Sequence, residues 1–130
     1  MKVAQYEIHV PYGKRQKVVL PDGTKVILNA GSYMKYPRQF GKEDRYVHFK
    51  GEAYFDVAKN KDCPFIIQSQ DYKIRVLGTT FNLNNYEDSE ELQLTLCTGK
   101  VLMNFGEEQL KLTPGEQLVL DKTNMHLERE

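Results

Sequence analysis

The sequence has no tryptophan, only two cysteines and no surplus of charge of either sign. The balance of charge and the scarcity of cysteine each close off a class of function. Eighteen basic side chains balance 18 acidic ones, so no net field draws the chain to nucleic acid or to an anionic membrane. No apolar run approaches the ~18 residues that span a bilayer. The first residues lack the basic start and long apolar stretch of a secretory signal. Cys63 and Cys97 fit no metal-binding spacing. Cys63 stands before Pro64 and Cys97 ends a strand-like run, so two free thiols are the preferred reading. A disulfide is the alternative in an oxidising compartment. Apolar residues at helical spacing are also missing. Asp88-Ser89-Glu90-Glu91 resembles a helix start, but no stripe follows and one turn is the most it supports. There is no nucleophile elbow, no phosphate loop and no dinucleotide fingerprint.

What is present has period two. Tyr6, Ile8 and Val10 alternate with Gln5, Glu7 and His9; Val47 and Phe49 alternate with Tyr46, His48 and Lys50. The same rhythm runs through Ala53, Phe55 and Val57, through Tyr72, Ile74 and Val76, through Leu92, Leu94 and Leu96, and through Val101, Met103 and Phe105. Successive strand side chains point to opposite faces, so each run has a core side and a wetter side. Turn signals separate the runs. Pro21-Asp22-Gly23-Thr24 reads as a tight hairpin, because proline presets φ and glycine accepts positive φ. Gly51, Gly99 and Pro114-Gly115 read as further punctuation. The pattern predicts one all-β domain over 1–130: a two-sheet sandwich or jelly-roll-like arrangement of short antiparallel strands, with an irregular β-roll as the alternative. Met125–Glu130 is a final strand or the start of a connection.

Chemistry is sparse. His9, His48 and His126 are not spaced as metal ligands and read as surface residues. Glu52 and Asp56 share one strand face, but four strand residues put them ~13 Å apart. Paired glycosidase carboxylates lie roughly 5–9.5 Å apart. No cofactor or metal is expected. Tyr46 and Tyr54 lie on the outward faces of adjacent runs. If those runs pair, the rings form a cross-strand patch, read either as a partner-docking surface or as a second buried layer. A small-ligand or carbohydrate-binding sandwich is the rival reading, with Tyr46, Tyr54 and Tyr86 as candidates.

The order of the motifs adds a resemblance. Val18-Val19-Leu20-Pro21-Asp22-Gly23-Thr24-Lys25-Val26 leads into Leu28-Asn29-Ala30-Gly31-Ser32 and Tyr36-Pro37. Gly51-Glu52-Ala53-Tyr54-Phe55-Asp56-Val57-Ala58 follows, then Pro64-Phe65-Ile66-Ile67 and Val76-Leu77-Gly78-Thr79-Thr80-Phe81-Asn82. Thr98-Gly99-Lys100-Val101 and Leu112-Thr113-Pro114-Gly115-Glu116 complete the series. Each motif alone is weak; together, over roughly Val10 to Leu120, they resemble the FecR family of anti-sigma regulators.

The resemblance implies a non-enzymatic periplasmic signalling domain belonging to a larger, single-pass inner-membrane protein. Its implied partners, reached through that parent, are a TonB-dependent outer-membrane transducer and an extracytoplasmic-function sigma factor. The sequence itself carries neither a membrane helix nor a sigma-binding segment, so this domain alone is not expected to inhibit a sigma factor. The resemblance also raises self-processing at Gly78-Thr79, by attack of the Thr79 hydroxyl on the Gly78 carbonyl. That reaction needs a strained peptide and an activating base. The alternative is a glycine bend within a strand.

Overall fold

The computed structural model describes residues 5–41, 45–69 and 72–130, and all regular structure among them is β. The all-β expectation therefore holds, and Asp88–Glu91 forms a turn rather than a helix. The eleven strands are β1 (Gln5–His9), β2 (Gln16–Val19), β3 (Lys25–Leu28), β4 (Tyr33–Pro37), β5 (Arg45–Asp56), β6 (Phe65–Gln68), β7 (Tyr72–Asn85), β8 (Glu91–Phe105), β9 (Glu108–Leu112), β10 (Gln117–Asp121) and β11 (His126–Arg129). They form one connected sheet along the path β1-β4-β5-β6-β7-β8-β10-β11, with β3 carrying β2 onto β5 and β9 pairing with β8. The pairing is antiparallel except between β5 and β6, which run parallel. Two features depart from the expected separate sheets of short antiparallel strands: this parallel pair, and three strands of 12, 14 and 15 residues.

The long strands let a single sheet enclose a core. Phe49 and Phe55 are six residues apart in β5, which in a straight strand is ~20 Å. Their ring centroids are 5.3 Å apart. The strand therefore folds sharply between them, at Gly51, where φ is 113°. A Cβ there would lie 2.6 Å from the Ser32 Cα and 2.7 Å from its Cβ, so only glycine lets the two backbones meet. Ser32 closes the corner: its hydroxyl bonds the Glu52 carbonyl at 3.0 Å and accepts the Glu52 N–H at 3.0 Å. Glycine 51 is thus a corner inside one strand and not a turn between two.

In β7 the buried positions are Tyr72, Ile74 and Val76, then Thr79, Phe81, Leu83 and Asn85. In β8 they are Leu92, Leu94 and Leu96, then Val101 and Met103. Both strands change phase at the same place, and the β7–β8 register slips between the Leu77–Lys100 and Phe81–Leu96 rungs. The paired irregularity re-aims both strands while keeping their apolar faces inward. Phe55 stacks on its cross-strand partner Phe81 at 4.9 Å, and Phe65 meets Phe55 edge-on at 6.3 Å. Burying each such ring is worth about 1.5–3 kcal/mol.

The Pro21–Thr24 hairpin is where the sequence placed it. The Leu20 N–H bonds the Thr24 carbonyl at 2.8 Å, and the Asp22 carboxylate takes the Thr24 N–H and hydroxyl at 2.9 and 2.7 Å. The chain ends on β11, which pairs with β10.

Candidate protein-binding surface

The sequence-derived candidates scatter. Tyr46 and Tyr54 belong to one continuous strand, β5, so the runs that carry them do not pair with each other. Tyr46 sits opposite Ile66, and Tyr54 lies between Ile27 and Asn82. The cross-strand patch expected from them therefore does not form. Glu52 is held by the Asn29 amide at 2.9 Å and the Asn82 amide at 3.3 Å. His9 and His126 are exposed on β1 and β11, while His48 lies opposite Lys35. No cluster of three or more metal-ligating side chains occurs among the described residues. Cys63 is buried and Cys97 is exposed.

Gly78 and Thr79 form the phase change in β7. The Thr79 hydroxyl lies 2.7 Å from the Leu77 carbonyl and 3.0 Å from the Lys100 carbonyl, and accepts the Lys100 N–H at 3.3 Å. Its partners are main-chain atoms, and the side chain is buried. A Cβ on Gly99 would come within 2.6 Å of that hydroxyl and 2.8 Å of the Gly78 carbonyl oxygen. This fit makes Gly99 the counterpart of Thr79, inside β8.

Sequence reasoning passed over Arg45. It is wholly buried, with Nη1 on the Asp22 carboxylate at 2.9 Å and on the Ala58 carbonyl at 2.6 Å. Its Nε donates to the Cys63 carbonyl at 2.6 Å, and its guanidinium lies 5.6 Å from the Phe65 ring centroid. The guanidinium fork suits this task because it offers five fixed donors. The 57–64 connection, which must bring β6 back parallel to the start of β5, is wound around it. A signal existed: Arg45, Val47 and Phe49 share the inward parity of β5.

The surface that does gather aromatic groups is the β1–β4 ribbon. Tyr6 pairs with Tyr36 across it, with centroids 5.5 Å apart. His9 pairs with Tyr33 on the opposite face, at 4.7 Å. Tyr6 is 44% exposed, with the Arg38 guanidinium 5.8 Å from its ring centroid and Nε on its hydroxyl at 3.3 Å. From Tyr6 an aromatic series leads inward through Tyr36, Phe40 and Phe65, with centroid steps of 5.7 and 5.9 Å. Burial, then the charge and hydrogen bond of Glu7, hold the Tyr33 hydroxyl above its ordinary pKa.

β1 is also an edge. Among the described residues it pairs only with β4. The Val10 N–H bonds the Ser32 carbonyl at 2.9 Å. By the alternation of an antiparallel ladder, Ile8 and Tyr6 then bond toward β4, while Glu7 and His9 turn their N–H and C=O outward. An edge of this kind offers a row of main-chain partners to an added strand.

The model of the family described as FecR protein matches residues 6–102. The chain belongs to the FecR family. Two crystal structures from Parabacteroides distasonis ATCC 8503, each described as a putative anti-sigma factor, share this fold. One is 37% identical with a TM-score of 0.92, over 98% of this chain and 60% of that one. The other is 38% identical with a TM-score of 0.91, over 96% and 59%. The chain thus spans about three fifths of the length of these neighbours. A comparison with curated proteins finds no match. No helix among the described residues is long and apolar enough to cross a membrane.

Proposed function

We propose that this FecR domain is the periplasmic protein-binding module of an anti-sigma regulator. In that role it carries the state of a TonB-dependent outer-membrane transducer to the parent protein and thence to an extracytoplasmic-function sigma factor. Family membership and the anti-sigma assignment of the two neighbours support the regulatory part. The observation that carries the contact itself is the β1 edge, with outward main-chain groups at Glu7 and His9 and exposed Tyr6 beside Arg38. Strand addition supplies affinity through main-chain hydrogen bonds, and flanking rings supply selectivity. The Gly78-Thr79 segment supports a binding module through its structural role: Thr79 and Gly99 lock a bend, and the Thr79 hydroxyl bonds main-chain atoms.

The test is a pull-down of the transducer's periplasmic signalling domain by this chain and by the complete parent ectodomain. Capture by the wild type, and its loss in Glu7→Pro with the fold intact, is the expected result. Proline at an edge position removes an outward N–H, and Glu7→Gln controls for the loss of the carboxylate beside Tyr33 and His9. Absence of capture by both proteins rejects direct sensing.

One observation favours a second reading, small-ligand or carbohydrate binding: Tyr12, Tyr33 and Tyr86 line a recess of about 370 Å³. Of the three tyrosines named for that role from sequence, only Tyr86 lines it. A glycan panel with a melting-temperature readout separates the two readings, since a stabilising glycan favours the second.

A further inference from the structure

Apart from the β1 edge, the outer face of β7, β8 and β9 holds a groove of about 570 Å³. Its charged lining is all of one sign: Lys61, Arg75, Lys100 and Lys111, with no carboxylate among them. The sheet register sets the spacing. Arg75 pairs with Leu102, and Leu102 with Lys111, so one rung carries a cation at each end and an apolar side chain between. Neighbouring strands lie ~4.8 Å apart, which places the two cations ~10 Å from each other. Leu77 pairs with Lys100 further along the strands, and Leu77 is 43% exposed.

This segregation stands out in a chain whose 18 cations and 18 anions cancel. Three cations elsewhere have acidic partners: Arg45 with Asp22, Lys50 with Glu87 and Arg129 with Glu116. Among the described residues none of the four groove cations is in an ion pair. Like charges held together without counter-charges disfavour one another, and an anionic partner relieves that cost.

We propose that the groove binds an acidic peptide segment of a protein partner, with an apolar residue set among its carboxylates. The cations meet the carboxylates, and Leu77 and Leu102 meet the apolar side chain. Charge complementarity and the alternation of cation and leucine along the rung select this occupant. A membrane surface fits less well, because the cations line a recess and Leu77 is the one apolar lining side chain that is strongly exposed. Single-stranded nucleic acid fits less well, because no aromatic side chain lines the groove for bases to stack on. The proposal rests on the protein-binding reading but not on the β1 edge.

The probe is a fluorescein-labelled synthetic peptide in which Glu and Asp flank a central Leu-Phe pair, titrated with this chain and followed by anisotropy. We expect saturable binding that weakens steeply with added salt. The double variant Arg75→Glu/Lys100→Glu weakens it by about tenfold or more. Leu77→Ser weakens it by about threefold while leaving the salt dependence in place. Circular dichroism and melting verify each variant's fold, and Lys14→Glu, outside the groove, serves as the charge control. Equal affinity for the double variant overturns the proposal. So does tighter binding of phosphatidylglycerol vesicles or of single-stranded DNA than of the peptide. A wild type that ignores the peptide but captures the transducer domain overturns the groove alone. Failure of both binding assays overturns the protein-binding reading as well.

Discussion

Replacing Gly51 by alanine tests the corner on which the whole fold turns. The residue has φ 113°, and its backbone runs against Ser32. A side chain in that backbone region costs about 1–2 kcal/mol. The new Cβ also meets Ser32 main chain, which cannot swing away as a flexible side chain does. Moving Ser32 breaks its two bonds to Glu52, at about 0.5–1.5 kcal/mol each. Together the loss is about 2–5 kcal/mol, a large part of the ~5–15 kcal/mol typical of a domain. At roughly 4 °C per kcal/mol, melting falls by about 8–20 °C. Two variants separate the contributions. Gly106→Ala also has positive φ, at 58°, but its Cβ meets nothing within 4 Å, so it loses only about 1 kcal/mol. Ser32→Ala loses only the hydroxyl bonds, about 1–3 kcal/mol. Urea unfolding measures all three, as a shift in midpoint at constant slope. A Gly51→Ala protein no less stable than Gly106→Ala refutes the close approach as the reason for glycine.

Three further outcomes are expected. Arg45→Met strands Asp22 and three loop carbonyls around the 57–64 connection, so stability falls by about 3–5 kcal/mol in urea unfolding. Thr79→Ala removes the main-chain ties of the β7–β8 bend and lowers stability by about 2 kcal/mol. Mass spectrometry of freshly purified parent protein then shows one uncut species with either residue, whereas a cut at Gly78-Thr79 that Thr79→Ala abolishes contradicts the structural role. For His48, burial first and the Lys35 charge second hold the pKa below 6.5, outweighing a backbone bond to Gln68. The unfolded chain takes up this proton near pH ~6.5 while the folded one resists until lower pH. His48 therefore leaves stability untouched above pH ~6.5 and lowers it as pH falls from there toward the reduced folded value. Urea midpoints across that range show the loss, and His48→Gln removes it.

Much of the fold was legible because alternation survives in the strands. The Pro21–Thr24 hairpin was also legible, since local turn chemistry decides it. The corners were misread. Gly51 reads locally as a turn, yet Val47, Phe49, Ala53 and Phe55 keep one parity across it, the mark of a single strand. Gly99 reads the same way, yet parity changes from Leu96 to Val101, the mark of a bulge. Which backbone each glycine must approach, Ser32 or Thr79, is a tertiary fact that spacing does not encode. The parallel β5–β6 pair was hidden for a similar reason, since it depends on a loop folded around buried Arg45. The Tyr6–Tyr36 contact was not legible, because it forms through register between strands whose paired residues lie 30 apart in sequence.

The most direct measurement of the account is amide hydrogen exchange at Glu7 and His9, with and without the transducer's periplasmic domain. Their N–H groups face solvent along β1, so an added strand must slow their exchange, while Ile8, already bonded to β4, changes little. Selective protection at Glu7 and His9 is the predicted result. Binding that leaves both amides exchanging at their free rate contradicts the docking of a partner on this edge.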